Sequence, residues 1–410
     1  MDAVENAVSV RTRLAGNPAL LCIGVLTLLA LVTHAPLLID FTAGMLGEGY
    51  PLNVIDVDFV NYWMAGVMTT AGMQQDLFSF PVYYGHLEAT FGANYPIHNW
   101  GYPPHFLLLL WPLGLLSYKA AMVAFLTATF ALFVMATLVF RRAYAPNSSV
   151  PLLALAVFGY SLLMIYTTQN GFLTGALLLF GLAWMKSRPV AAGLAFALLT
   201  IKPQLGVLIP VLLVLDRNWR TIGWSALFTV ALVALSAAWY GTQSWASYLT
   251  ETLDYQRSVM TDWSGLFLRM MPTVFASMRT LDYTPDTAYM VQWPFSIAGA
   301  AVVLWAWRWQ TDPLQRIFTL ACGTFVISPY AFNYDMGALG VIAALLVGSQ
   351  SLSRFALIMV SIIAALSPCV TNLGRSNLPI SPVLLLMGLA ALALHAQQMR
   401  REPLNTSFKP

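Results

Sequence analysis

PALLCIGVLTLLALVTHAPLLI, residues 18–39, carries no charged side chain. A helix of about 20 such residues, rising 1.5 Å per residue, crosses the roughly 30 Å hydrocarbon layer of a bilayer. The stretch exceeds the apolar region of a secretory signal, and no small-residue cleavage site follows it. It therefore reads as a first transmembrane helix, with Arg11 and Arg13 ahead of it.

The same pattern recurs downstream. Apolar runs at 118–140, 150–168, 171–186, 189–201, 204–215, 221–240, 290–307, 317–331, 336–348, 354–372 and 379–396 bring the candidate spans to about a dozen. The expected fold is all-α: one polytopic helical bundle over residues 1–410. Composition agrees. Of 410 residues 59% are hydrophobic and 9% charged, with a mean hydropathy of +0.70, whereas a soluble protein carries about 25% charged residues. The net charge of +3 says little about partners, and no nucleic acid is expected among them. Cys22, Cys322 and Cys369 lie in apolar runs without a CxxC spacing and read as core residues.

Several runs are short, since 13 residues cover only about 20 Å. Some are expected to be half-helices, tolerated where protein or a water cavity covers the broken backbone. Residues 103–116 (PPHFLLLLWPLGLL) read as a re-entrant or surface helix. With the N-terminus in the cytoplasm, fourteen of the twenty Lys and Arg residues then fall inside and six outside, as the positive-inside rule favours. Making 103–116 a full span reduces the inside count to eight. Two long loops follow on the outer side, at about 40–102 and about 241–289, both rich in Tyr, Trp and Asp. No internal repeat of the transporter kind is evident.

In this layout the polar residues gather at the outer boundary. They are Asp56 and Asp58 (NVIDVDFVNYWMAG), His98, Tyr102 and His105 (PIHNWGYPPH), Gln169 and Asn170 (YTTQNG), Lys202 (LLTIKPQL), and Asn333, Tyr334 and Asp335 (SPYAFNYDMG). Lys202 is the most informative. A charge within an apolar stretch costs about 2.5–3.5 kcal/mol on insertion scales, and Pro203 ends or kinks the helix beside it. A phosphate partner accounts for such a lysine, and so does snorkelling to the interface. Asp58 precedes an amphipathic run, so N-capping competes with a role as general base. Turn chemistry explains Gln169 and Asn170 about as well as sugar binding does. Asp335 could simply favour a helix N-terminus.

Taken in order, these pieces resemble glycosyltransferase family 87, the polyprenyl-phosphate-dependent membrane mannosyltransferase group. The resemblance rests on D-F-x-x-Y-W-x-A-G from Asp58 to Gly66, and on Y-P-P leading into W-P-L from Tyr102 to Leu113. It continues through Q-N at 169–170, K-P-Q at 202–204 with R-x-W-R at 217–220, and S-P-Y-x-x-x-Y-D at 328–335. It covers roughly residues 50–340.

The resemblance implies a GT-C fold that takes a hexose, mannose by default, from a polyprenyl-phosphate donor and inverts the anomeric centre. The acceptor is a lipid or glycan. An acidic residue on the first outer loop is the base, and Asp58 is the position that matches; the neighbouring Asp56 leaves open which carboxylate acts. Lys202, with Arg257 or His105, would stabilise the leaving phosphate. Asp56, Tyr62, Tyr102, Gln169, Asn170, Gln204, Tyr334 and Asp335 are the substrate-binding candidates. No cofactor is expected; a divalent metal held by Asp56 and Asp58 is the alternative. The implied location is the plasma (inner) membrane, multi-pass among membrane lipids, with the site on the outer, periplasmic side and both termini cytoplasmic. A lipid-linked-sugar flippase or transporter and a polysaccharide polymerase or ligase are the competing readings.

Overall fold

The structure is a computed structural model that describes residues 18–47, 57–349 and 352–405. Among the described residues all regular structure is helical. Among the described residues six helices are long and apolar enough to cross a membrane: Pro18–Leu46, Tyr118–Tyr144, Val150–Thr167, Trp219–Tyr240, Pro285–Trp309 and Ser381–Met399. Their apolar side chains are not all packed away. Leu21, Leu28, Val32 and Ile39 of the first helix are exposed, as are Leu227, Val230 and Trp239 of Trp219–Tyr240. In water such surfaces would be a liability; in a bilayer they are what lipid contacts.

Six shorter apolar helical segments accompany them: Pro104–Leu115, Gly171–Trp184, Pro189–Leu199, Pro203–Leu215, Pro313–Ile327 and Gly337–Ser349. Pro104–Leu115 covers residues expected to form a re-entrant or surface helix. It is two 3₁₀ turns flanking one α turn, and at roughly 2 Å per residue or less it is too short to cross alone. The expected single span over 354–372 is instead a bent pair. Arg354–Ala364 and Ser367–Arg375 meet at 66°, because Pro368 lacks an N–H and crowds the turn before it.

Local sequence sets many of the helix ends. Pro189, Pro285 and Pro313 occupy first positions, where a missing N–H costs nothing. Asn218, Thr284, Asp312 and Ser353 accept hydrogen bonds from N–H groups three residues on, capping the helices they precede. The two long loops are themselves helical. Phe59–Thr70 and Phe80–Phe91 occupy the first, and Thr242–Ser247, Leu253–Asp262 and Val274–Thr280 the second.

The chain divides into two compact units. One takes the described residues of Met1–Thr33, Phe140–Leu163 and Leu266–Pro410; the other takes those of His34–Val139 and Met164–Gly265. The second unit holds a core of buried aromatic residues. Phe59 and Tyr118 meet edge to face at 5.5 Å, and Tyr62 packs against Phe125 at 5.2 Å and Phe106 at 5.9 Å. Such pairs add about 0.5–1.5 kcal/mol each beyond their area burial. They fix the helix that carries Asp58 at its start.

Candidate active site

Asp58 stands at the N-cap position of Phe59–Thr70, yet its side chain makes no capping hydrogen bond. Its backbone carbonyl accepts from Asn61 N at 3.1 Å. The carboxylate turns elsewhere: Gln169 Nε2 donates to Asp58 Oδ2. Capping, the ordinary reading of an aspartate there, is thus not what this side chain does. Asp58 is half-buried, so it keeps some contact with the outside while being held.

A chain of hydrogen bonds extends from this contact. Tyr62 Oη donates to Gln169 Oε1 at 2.7 Å. Tyr62 Oη lies 3.0 Å from Tyr102 Oη. Tyr62 and Gln169 are buried, and Tyr102 is half-buried. Four residues singled out in the sequence, from three separate motifs, are therefore bonded in one row. The helix also places Asn61 below Asp58, where Asn61 Oδ1 accepts from Tyr83 Oη at 2.7 Å. Burial holds the Tyr83 phenol well above its usual range, and the charges of Tyr95 and Asp58 add to this. Tyr83 has no motif signal in the sequence; only folding of the loop brings it in.

Asn170, next to Gln169, is wholly buried, and among the described residues neither end of its amide has a hydrogen-bond partner. Its backbone carbonyl accepts from Thr174 N at 3.0 Å in the first turn of Gly171–Trp184. An unsatisfied buried amide costs about 1–3 kcal/mol, so the position is held at some expense.

His105 is buried, with its ring stacked on Trp245 at 5.8 Å and Nε2 3.2 Å from Thr200 Oγ1. Burial pushes its pKa down to about 4, so at neutral pH the ring is uncharged. Trp245 and Thr200 also escape sequence reasoning, since Thr200 is an ordinary residue of the apolar run 189–201 and Trp245 one of several aromatic residues of the second long loop. Lys202 is 5% exposed and follows the end of Pro189–Leu199. Its N–H bonds to Leu199 O at 3.0 Å, and the 3₁₀ turn Pro203–Gly206 begins directly after it. Gln204 in that turn is half-buried.

Arg257 is placed differently. It is mostly exposed on Leu253–Asp262 and paired at 2.6 Å with Asp254 one turn earlier. Tyr334 and Asp335 lie in the first unit. There the Tyr334 carbonyl accepts from Tyr160 Oη at 2.6 Å, and Phe332 N donates to Asp335 Oδ2 at 3.4 Å. Asn333 beside them ties the loop to Thr371 Oγ1 at 3.0 Å and to Met270 O at 2.9 Å. Asp56 lies outside the described residues. Among the described residues no three His, Cys, Asp or Glu side chains converge as metal ligands.

Chemically, the second unit offers an oriented, part-exposed carboxylate, a buried lysine at a helix break and a neutral histidine. A model of glycosyltransferase family 87 matches residues 100–329. That range includes Tyr102, His105, Gln169, Asn170, Lys202, Gln204 and Arg257, and excludes Asp56, Asp58, Tyr62, Tyr334 and Asp335. The chain is also similar to the alpha-(1->3)-arabinofuranosyltransferases of Mycobacterium tuberculosis strains CDC 1551 / Oshkosh and ATCC 25618 / H37Rv. Identity to each is 30% over 279 residues, covering 59% of this chain and 63% of the relative. The match thus spans less than two thirds of the relatives' length. No solved structure matches the chain. With more than half of its residues matched by the family model, the chain belongs to glycosyltransferase family 87.

Proposed function

We propose that the protein transfers a sugar from a polyprenyl-phosphate-linked donor to a hydroxyl of a lipid or glycan acceptor, with Asp58 as general base. The observation that carries this reading is the Asp58 carboxylate, turned away from capping and held by Gln169. The base takes the proton of the acceptor hydroxyl as its oxygen bonds to the anomeric carbon. The bond from that carbon to the phosphate oxygen breaks, and its electron pair leaves with the lipid phosphate. One displacement inverts the anomeric centre. Lys202 supplies the charge that the departing phosphate needs, and the neutral His105 can give only a hydrogen bond. No resident metal or cofactor enters the scheme.

The similarity to the mycobacterial arabinofuranosyltransferases favours an arabinofuranosyl donor. Mannose, the sugar implied by the family resemblance of the motifs, is the second reading. The site would face the outer side of the plasma membrane, as the basic-residue count favours, and the acceptor would reach it from the membrane surface.

The test uses purified full-length protein and radiolabelled polyprenyl-phosphate donors, one carrying arabinofuranose and one mannose, with membrane lipid extract as acceptor. Wild type should move label from one donor, and Asp58→Asn should move none while still binding that donor. Normal turnover by Asp58→Asn would shift the base to another carboxylate, Asp56 first.

A further inference from the structure

We propose that Gln169 is a positioning residue for Asp58, the last link of an ordered hydrogen-bond chain that runs Tyr102, Tyr62, Gln169, Asp58. The inference rests on the reading of Asp58 as the base. It assigns Gln169 to the carboxylate rather than to the substrate.

The direction of the chain follows from the donor and acceptor capacities of its members. An ionised carboxylate only accepts, so Asp58 Oδ2 must face the NH₂ end of the amide, as it does. The carbonyl end then faces Tyr62, whose hydroxyl donates to it at 2.7 Å. Flipping the amide would set oxygen against oxygen and NH₂ against O–H, so chemistry fixes its orientation. Tyr62 spends its proton on Gln169, so at the 3.0 Å contact with Tyr102 the donor is Tyr102. Each bond holds the next, and the row ends on the carboxylate. With Oδ2 engaged, Oδ1 is the oxygen left to take the acceptor's proton.

The backbone carries an independent sign that this placement matters. Thr168, directly before Gln169, is wholly buried and has φ of +47°. A β-branched residue in the left-handed region costs roughly 1–2 kcal/mol, and such strain persists where the surroundings over-determine it. The chain leaves Val150–Thr167 and enters Gly171–Trp184 through this one turn. The strained residue sends Gln169 into contact with Asp58, 111 positions away.

The experiment is steady-state kinetics of the purified full chain with whichever of the two polyprenyl-phosphate donors the wild type uses, comparing Asp58→Asn, Gln169→Ala, Gln169→Glu, Tyr62→Phe and Gln169→Ala/Tyr62→Phe. Misplacing a catalytic group costs on the order of 100-fold, so Gln169→Ala should lower kcat by about that factor with donor KM within about threefold. Gln169→Glu keeps the size and the acceptor for Tyr62 but loses the N–H. It should fall as far, and it reads the role if Gln169→Ala does not fold. Tyr62→Phe should lower kcat alone and change it by less than about twofold in the Gln169→Ala background, because a broken chain has nothing left to transmit.

A raised KM with unchanged kcat in both Gln169 variants would make Gln169 a substrate contact and overturn the inference while leaving Asp58 the base. Full additivity of Tyr62→Phe with Gln169→Ala would overturn the chain in the same way. Active Asp58→Asn, or a wild type that moves label from neither donor, would remove the base reading and the inference together.

Discussion

Gly66 and Gly114 meet backbone to backbone. A Cβ placed on Gly66 would lie 2.6 Å from Gly114 N and 2.7 Å from Leu110 O, and one on Gly114 would lie closer still to the Gly66 carbonyl. The helix that begins at Asp58 is thereby pressed onto the short segment that carries His105. Backbone atoms cannot swing aside as a side-chain tip can. Overpacking typically costs about 1–3 kcal/mol, and Gly66→Ala and Gly114→Ala belong at the top of that range. Each is expected to lower the thermal midpoint in detergent clearly or to prevent a monodisperse preparation. Wild-type melting of both variants would refute the close crossing.

The first unit has its own contact of this kind, between Gly337 and Tyr160. A Cβ on Gly337 would fall within 2.5 Å of Tyr160 Cζ, and the buried ring cannot retreat without giving up its 2.6 Å bond to Tyr334 O. Gly337→Ala should therefore destabilise by about 2 kcal/mol, combining a displaced ring with a carbonyl left unpaired. Gly24 supplies the control, since a Cβ there meets nothing within 4 Å. Gly24→Ala should leave the melting curve unchanged or slightly raised. Equal losses in the two variants would mean that helix glycines matter here for some reason other than Tyr160.

These glycines mark the boundary of what the sequence discloses. The long spans are legible because about 20 uncharged residues in a row have few other fates. Residues 18–39, 118–140 and 150–168 coincide with long helices for that reason. Ends are less legible. The span expected over 317–331 runs to Ala331, yet the helix is Pro313–Ile327, set by the Asp312 cap at one end and by Ser328 before Pro329 at the other. Asp58, Tyr62, Tyr102 and Gln169 stand out individually, but their bonding spans separations of 40 to 111 positions. No local pattern encodes that. Trp245 and Tyr83 carry no signal at all until tertiary packing places them beside His105 and Asn61.

His105 gives a pH dependence with a definite sign. Its folded pKa is depressed from the ordinary histidine value of 6.5 to about 4, because burial disfavours the charged ring. Between those values the unfolded chain binds the extra proton and the folded one does not. Stability therefore rises with pH across this window, and on acidification it is lost from about pH 6.5 down to about pH 4. The full loss is about 3 kcal/mol by linkage. Thermal unfolding at pH 7, 6, 5 and 4.5 should show it in wild type, with His105→Gln flatter by a comparable amount. Parallel curves for the two proteins would mean that the ring titrates normally.

Lys202 is the cation on which donor affinity should depend. It is 5% exposed, so its ammonium meets a ligand away from bulk water, where a charge-assisted hydrogen bond is worth about 1.5–3 kcal/mol. Lys202→Ala is expected to weaken binding of the polyprenyl-phosphate donor by roughly 10–150-fold on that scale. Lys202→Arg should recover only part of the loss, because a planar fork does not take the place of a point charge in a tight site. Arg257 provides the contrast. Its side chain is 79% exposed and already paired with Asp254, and exposed pairs of this kind contribute little to stability. Arg257→Ala should melt like wild type, so any change in its donor affinity would report direct contact with the lipid phosphate. Equal donor affinity in wild type and Lys202→Ala, measured with the same donor in the same detergent, would return Lys202 to the role of a lysine anchored at the membrane interface.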